Sequence, residues 1–142
     1  MNATSAAVAG AAVFVWLGMV LAISFLEAPL KFRAPGVTVP LGLGIGRIVF
    51  RALNAAEVLL AAVVLVAVAA GGPGVGVVVA TAAVVAVLAV QLGIVRPRLN
   101  RRSDRVLAGE QVPRSSAHWY YVALEVAKVV SLLVLGVLLL GA

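Results

Sequence analysis

The sequence predicts an all-α integral membrane protein, a four-helix bundle that forms a single domain over residues 1–142. Hydrophobic residues make up 64% of the chain and the mean hydropathy is +1.20, values typical of a protein whose solvent is lipid. Apolar runs of roughly 20 residues match the ~30 Å hydrocarbon core of a bilayer at ~1.5 Å per helical residue. The predicted spans are Ala6–Ala28, Ile48–Ala70, Val75–Val95 and Trp119–Leu140.

The first span is expected to be retained in the membrane, because residues 1–5 contain no Lys or Arg and so lack the basic segment of a secretory signal. Glu27 lies near the end of this span, and Pro29 follows it. If the helix continues past Pro29, Glu27 and Lys31 lie one turn apart and can pair. The chain contains no Cys, which excludes disulfides, thiolate metal ligands and dithiol redox chemistry.

The first connection, residues 29–46, is rich in Pro and Gly, so we expect it to turn before the chain re-enters the membrane. Thr38, just ahead of Val39 and Pro40, is a candidate N-cap for an early helix start. The glycines of residues 41–46 are also compatible with a loop whose backbone amides bind phosphate. That alternative is weaker, since the segment matches neither the lysine-bearing phosphate loop nor the dinucleotide fingerprint.

The third span is expected to end at Pro97, because proline disrupts a helix interior. Leu99, Val106 and Leu107 then share one face of a separate interfacial helix surrounded by arginines. The fourth span opens with the aromatic residues 119–121, which are typical of a membrane–water interface.

The net charge of +6 is concentrated in two connections, whereas residues 71–74 and both termini carry no charged side chain. The positive-inside rule places both basic connections in the cytoplasm and both termini outside, in a multi-pass protein of the inner (cytoplasmic) membrane. Anionic lipid headgroups are the expected partner of the arginines, and no nucleic-acid-binding motif competes. Ten of the 11 basic residues belong to these connections: Lys31, Arg33, Arg47, Arg51, Arg96, Arg98, Arg101, Arg102, Arg105 and Arg114.

Three charged residues, Glu57, Glu125 and Lys128, lie deeper inside the predicted spans than Glu27 and Arg51, which lie close to span ends. A charge near the bilayer centre costs from ~2.5 to well over ~10 kcal/mol, so such residues normally pair or serve a pathway. At ~1.5 Å per residue, Glu57 lies ~15 Å along its helix from Arg47. Glu125 and Lys128 lie ~9 and ~13 Å from Trp119. All three are therefore expected in the cytoplasmic half of the bilayer.

Helical phase arranges the polar residues in two stripes at matching depth, one on the second helix and one on the fourth. We expect Glu57 to pair with Lys128 and Glu125 to pair with Arg51, while nearby amide side chains satisfy the remaining groups. An ion-pair network that only sets helix register is an equally good interpretation. The predicted ligand-binding or ion-pair cluster comprises Glu57, Lys128, Glu125, Arg51, Asn54, Gln91, Glu27, His118 and Tyr121.

Metal binding and catalysis have less support in the sequence. His118 and Glu125 lie on one face, but the chain has a single His and no Glu-x-x-His pair, and Lys128 would repel a cation. The candidate nucleophiles, among them Ser24, have no evident base nearby. We therefore expect no catalytic constellation, no metal site and no cofactor.

Three segments carry a resemblance to a known family: Phe-Leu-Glu-Ala-Pro-Leu-Lys-Phe at residues 25–32, Gly-Arg-Ile-Val-Phe at residues 46–50, and residues 118–128. Over nearly its whole length the chain resembles the small four-helix membrane family of unassigned function that includes the animal transmembrane protein implicated in cisplatin resistance. The resemblance implies a four-helix bundle and a link to solute export, and it offers no catalytic residues. Met1 and Met19 are the only methionines, so the chain lacks the soft ligands that platinum or copper prefers.

Two classes of function follow from these observations. In the first, the polar cluster lines a pocket that binds a small amphipathic or anionic solute and helps it to cross the membrane. In the second, the protein is a non-catalytic accessory subunit of a larger membrane complex or a homo-oligomer, and Trp16, Phe14 and the apolar helix faces are docking surfaces. An internal cavity at Glu57 and Lys128 would favour the pocket.

Overall fold

The computed structural model describes residues 1–114 and 116–142. Helix accounts for 86% of the described residues, which contain no strand. All four long helices are long and apolar enough to cross a membrane, which indicates a multi-pass membrane protein. They are α1 (Ala3–Arg33), α2 (Val39–Ala70), α3 (Val75–Leu107) and α4 (Ser116–Leu140).

Helix α1 continues through Pro29 to Arg33, so it ends beyond the predicted Ala28. Its start is capped by Asn2, whose Oδ1 accepts a hydrogen bond from the Ser5 amide at 2.8 Å. The turns from Leu21–Glu27 are π-helical, and a short α-helical turn and a 3₁₀ turn complete the helix. A π-helical turn shifts the hydrogen-bond register just before Pro29, where the missing proline N–H would otherwise interrupt an α-helix.

Helix α2 begins at Val39 rather than Ile48. The turn expected within residues 29–46 is therefore confined to residues 34–38, and residues 39–46 are helical. Thr38 caps the helix as expected, because its Oγ1 accepts a hydrogen bond from the Leu41 amide at 3.3 Å. A side chain at Gly42 would collide with the ring of Phe32. Glycine at this position therefore lets the end of α1 approach α2 closely. Because residues 41–46 are helical, they form no loop that could surround a phosphate.

Helix α3 also continues past its proline, contrary to the predicted end at Pro97. A π-helical turn, Gln91–Val95, precedes Arg96–Leu107, and Pro97 lies in the first turn of that segment, where its missing N–H is tolerated. The expected interfacial helix is therefore the extension of α3. Its Val106 is buried, whereas Leu107 is exposed.

Helix α4 begins at Ser116, slightly ahead of the predicted Trp119. The guanidinium of Arg102 donates hydrogen bonds to the carbonyls of Val112 and Pro113, each at 3.1 Å. These bonds tie the second connection to the end of α3.

The four helices form one bundle in which α1 packs against both α2 and α4, and α3 packs against α4. Helices α2 and α4 therefore lie diagonally opposite each other. The apolar core lies away from the basic connections, and Trp16, Leu132 and Leu135 are fully buried in it. Phe14 of α1 packs over Gly136 of α4, where any Cβ would meet the phenyl ring. Such small-residue contacts bring helix backbones together where lipid provides no hydrophobic drive for association.

Leu132→Ala tests this packing, with Leu133→Ala as the matched control. Leu132 is fully buried and Leu133 is exposed on the lipid side. We expect Leu132→Ala to lower the free energy of unfolding by about 2 kcal/mol, the lower end of the range for buried leucines. The loss is small because lipid is as apolar as the bundle core, so burial of a leucine adds packing but little hydrophobic stabilisation. Leu133→Ala should change it by less than about 0.5 kcal/mol. Denaturant titration in mixed micelles measures both, and equal losses would contradict the packing.

Candidate functional site

A single lysine ammonium organises the polar interior of the bundle. Lys128 Nζ lies 2.5 Å from Glu57 Oε2, 2.6 Å from Glu125 Oε1 and 2.9 Å from Gln91 Oε1. An ammonium has three hydrogens and no acceptor, so these three oxygens satisfy it. Lys128 and Glu57 are fully buried, and Gln91 and Glu125 are almost so.

Helix α1 completes the arrangement with two further donors. Trp16 Nε1 donates to Glu57 Oε2 at 2.8 Å, and Ser24 Oγ donates to Glu125 Oε2 at 2.6 Å. Gln91 Nε2 also donates to Glu125, at 3.3 Å. Every helix therefore contributes to one buried charge cluster, which comprises Trp16, Ser24, Glu57, Gln91, Glu125 and Lys128.

The structure describes two π-helical turns, and each supplies a member of this cluster. Ser24 lies within the π turn Leu21–Glu27, and Gln91 begins the π turn Gln91–Val95. A π turn rotates the following residues relative to a regular α-helix and is frequent at functional sites. Here the two turns occur on α1 and α3, the helices that carry no charge in the cluster, and they lie at the depth of the charges.

Burial makes the cluster expensive to form and expensive to disturb. Removing an ion from water costs several kcal/mol even after relaxation, and only good geometry with further hydrogen bonds offsets that cost. The bonds from Trp16, Ser24 and Gln91 provide this compensation. A shift of one helix along its axis would break several of these contacts together, so the cluster also specifies helix register.

The predicted pair between Glu57 and Lys128 is present, and Gln91 satisfies groups in the cluster as expected. The predicted pair between Glu125 and Arg51 is not formed. Arg51 is exposed, and Glu125 pairs with Lys128, three residues along the same helix. Such a spacing brings side chains together within one helix. Arg51 lies ~9 Å along α2 from Glu57 and about a third of a turn around it, so it points away from the bundle centre.

The other predicted site residues lie outside the cluster. Asn54 is half-buried, and no hydrogen bond joins it to the cluster within the described residues. Glu27 and Lys31 form a pair at 3.9 Å near the end of α1. His118 is half-buried and packs edge-on against Trp119, with ring centroids 5.0 Å apart.

Tyr121 belongs to a second layer, between the charge cluster and the basic connections. The Arg96 guanidinium lies over the rings of both Phe50 and Tyr121, 4.6 and 4.4 Å from their centroids. Arg96 Nε and Nη2 and the Tyr121 hydroxyl are buried and have no hydrogen-bond partner within the described residues. Cation–π contact stabilises the charge but leaves these donors free to bind oxygen atoms.

Sequence reasoning missed three residues of these layers. Trp16 is wholly buried, so its predicted role as a docking surface is wrong. Ser24 donates to a carboxylate, so the expectation that no base lies near it is also wrong. Arg96 is expected in a connection because Pro97 follows it, but it lies within the continuous helix α3. One feature of the sequence does indicate the contact between Trp16 and the charges, since an indole N–H within a membrane span requires an acceptor.

A cleft of about 230 Å³ opens between the end of α3 and the start of α4. We call it the arginine cleft. Arg102 is engaged with the backbone of the connection, and Arg105 pairs with Glu110 at 3.4 Å. Arg98 and Arg101 are exposed and form no ion pair within the described residues. The cleft is lined by Arg98, Arg101, Arg102, Arg105, Val112, Ser116 and Ala117.

These features define the protein as a multi-pass helical membrane protein with a buried charge cluster. Within the described part of the chain, no three His, Asp or Glu side chains converge as a metal site requires. Comparison with protein families, with curated proteins and with solved structures finds no match to this chain. The resemblance to the four-helix family linked to cisplatin resistance therefore stays a prediction.

Lys128→Met tests how strongly the bundle depends on its central cation. We expect the free energy of unfolding to fall by roughly 3–5 kcal/mol, because two buried carboxyls lose their shared partner. Arg47→Met is the control, since it removes a partly exposed pair with Asp104 and should cost less than about 1 kcal/mol. Denaturant titration in mixed micelles compares the two. Equal costs would contradict a central role for Lys128.

Proposed function

We propose that this protein binds a small amphipathic anion in the arginine cleft and helps it to cross the membrane. The proposal is carried by Arg98 and Arg101, which form no ion pair in the described part of the chain. They lie in a cleft at the interface-facing end of two membrane-spanning helices. Arginine forms forked hydrogen bonds with planar or tetrahedral oxyanions, which suits carboxylate, sulfonate or phosphate groups.

The remaining walls of the cleft favour a ligand with an apolar part. Val112 and Ala117 line the cleft beside the arginines. Ala117 also packs with Val95 and Tyr121 in a small buried apolar group. A ligand can thus place its charge at the arginines and its hydrocarbon against these side chains.

The Arg96 layer supports movement of the anion towards the bundle interior. Arg96 Nε and Nη2 and the Tyr121 hydroxyl, which have no hydrogen-bond partner among the described residues, lie between the cleft and the charge cluster. Arg96 is also separated from Arg98 by a single residue of α3. An anion that leaves the cleft therefore has polar partners at the next depth, where unpaired oxygens would otherwise be costly.

The proposal includes an orientation with the arginine cleft in the cytoplasm of the cell, and the cytoplasmic membrane as the location. Its support is the concentration of basic residues at the two connections that lie at this end of the bundle. Anionic headgroups would then surround the cleft and compete for its arginines.

The alternative of a non-catalytic accessory subunit relies on exposed docking residues. Trp16 is buried, whereas Phe14 contacts Gly136 and still keeps 38% of its surface exposed. The alternative therefore retains Phe14 and general apolar surface, which lipid also covers. Neither Glu57 nor Lys128 lines the arginine cleft, so the support for solute binding comes from that cleft and not from the internal cavity expected at these two residues. On that basis we prefer solute binding.

Anion binding is tested with anilinonaphthalene sulfonate and phenylnaphthylamine, two probes that share a skeleton and differ in the sulfonate. In phosphatidylcholine nanodiscs, the double variant Arg98→Gln and Arg101→Gln should bind the sulfonate at least about tenfold more weakly, because charged hydrogen bonds worth ~1.5–3 kcal/mol each are lost. Binding of phenylnaphthylamine should not change. Isothermal titration calorimetry, corrected for empty nanodiscs, measures both.

Arg33→Gln removes an exposed arginine outside the cleft and serves as the control, with affinity expected to match the parent protein. Loss of sulfonate binding in Arg33→Gln would contradict the cleft as the site. Unchanged sulfonate binding in the double variant would contradict it as well. Nanodiscs containing phosphatidylglycerol separate the two anion sources, since headgroups that occupy the cleft should weaken sulfonate binding. Sulfonate flux into proteoliposomes then tests movement across the membrane.

The orientation is tested with single cysteines, because the chain has none of its own. Gly74→Cys lies at the α2–α3 hairpin, where a side chain meets open space, and Gln111→Cys lies in the exposed second connection. We expect a membrane-impermeant maleimide to label Gly74→Cys in intact cells and Gln111→Cys only after permeabilisation. The opposite pattern would reverse the proposed orientation.

A further inference from the structure

The buried charge cluster contains two carboxyls and one ammonium. With all three groups ionised it carries a formal charge of −1, and both Glu57 and Lys128 are fully buried. An uncompensated charge in such an interior is far more costly than a neutral polar group. The cluster therefore needs either one bound proton or one more cation.

The groups that face Glu57 supply no second cation. From α1 come the indole of Trp16 and, on the neighbouring carboxyl, the hydroxyl of Ser24. From α3 comes the amide of Gln91, and α4 supplies only Glu125 and Lys128.

The nearest further cation is Arg96, which stacks on Phe50 and Tyr121 in the next layer. It forms no ion pair with either cluster carboxyl within the described residues. The Tyr121 hydroxyl, buried in that same layer, has no hydrogen-bond partner in the described part of the chain. Within the described residues, therefore, neither Arg96 nor Tyr121 compensates the charge of the cluster by direct contact.

Hydrogen bonding distinguishes the two carboxyls. Both oxygens of Glu125 have polar partners, since Oε1 meets Lys128 and Gln91 and Oε2 accepts from Ser24. In Glu57, Oε2 takes the bonds from Lys128 and Trp16, whereas Oε1 is buried and has no partner within the described residues. Glu125 is surrounded as an ionised carboxylate should be, and one oxygen of Glu57 is not.

We propose that the cluster is a proton-binding site and that Glu57 Oε1 holds the proton. The step is a simple equilibrium in which the Glu57 carboxylate and one proton form the neutral acid, leaving Lys128 and Glu125 as a neutral pair. A metal cation fits less well, because the Lys128 ammonium would lie beside it and already occupies the cluster's facing oxygens. The site is independent of the proposed anion binding.

Infrared spectroscopy of the purified protein in phosphatidylcholine nanodiscs tests the proton count. At neutral pH the parent protein should show the carbonyl absorption of one protonated carboxyl, which shifts when water is replaced by heavy water. The absorption should vanish in Glu57→Gln, which leaves one carboxylate opposite Lys128. Lys128→Met should show two protonated carboxyls. Glu110→Gln, which changes an exposed carboxyl in the second connection, should match the parent.

Absence of the absorption in the parent protein overturns the proposal, because Arg96 or an ion would then supply the compensating charge. Absorption that disappears when sodium replaces a bulky organic cation in the buffer also overturns it, since sodium would be the ligand. The parent measurement needs no variant, so the test holds even if Lys128→Met does not fold. The infrared sample contains no solute, so its result does not depend on anion binding. Failure of the proton proposal can therefore be distinguished from failure of the proposed function.

Thermal unfolding of two isosteric variants tests which carboxyl holds the proton. Glu57→Gln replaces a neutral acid by a neutral amide, whereas Glu125→Gln removes the ionised partner of Lys128. We expect the unfolding midpoint to fall less in Glu57→Gln than in Glu125→Gln. The reverse order would place the proton on Glu125 and overturn the assignment.

Discussion

The hydrogen-bonding requirement of Lys128 is the constraint on which the rest of the interior depends. An ammonium within a lipid-embedded bundle has no water to complete its three bonds, so protein oxygens must do so. Glu57 reaches it across the bundle diagonal, Glu125 along the same helix, and Gln91 from α3. Each of these acceptors then needs neighbours of its own, which brings Trp16 and Ser24 of α1 into the same network.

This requirement explains why the helices depart from regular α-geometry where they do. The π turns at Leu21–Glu27 and Gln91–Val95 contain Ser24 and Gln91, which supply hydrogen bonds to the charged side chains. The same turns precede Pro29 and Pro97, and both helices continue past their prolines. In each of these two helices, the π turn accommodates the following proline and also places a polar side chain in the cluster.

The polar side chains at one end of the bundle lie in three layers. Exposed arginines line a cleft at the surface, Arg96 and Tyr121 form a layer beneath it, and the charge cluster lies deepest. Beyond it the core is apolar, with Leu132 and Leu135 fully buried. The first two layers suit an anion, and the third, with one more carboxyl than ammonium, suits a proton. Their proximity would allow one to influence the other through electrostatics.

The sequence by itself determined the four membrane-spanning helices and the pairing of Glu57 with Lys128, because apolar run length and helical phase are local properties. It did not determine that α1 and α3 continue past Pro29 and Pro97, the partner of Glu125, or the burial of Trp16. These depend on which helices lie side by side and which lie diagonally, a matter of packing between segments distant in the chain. Only the tertiary structure showed that α1 faces both carboxyls and that Arg51 points away from them.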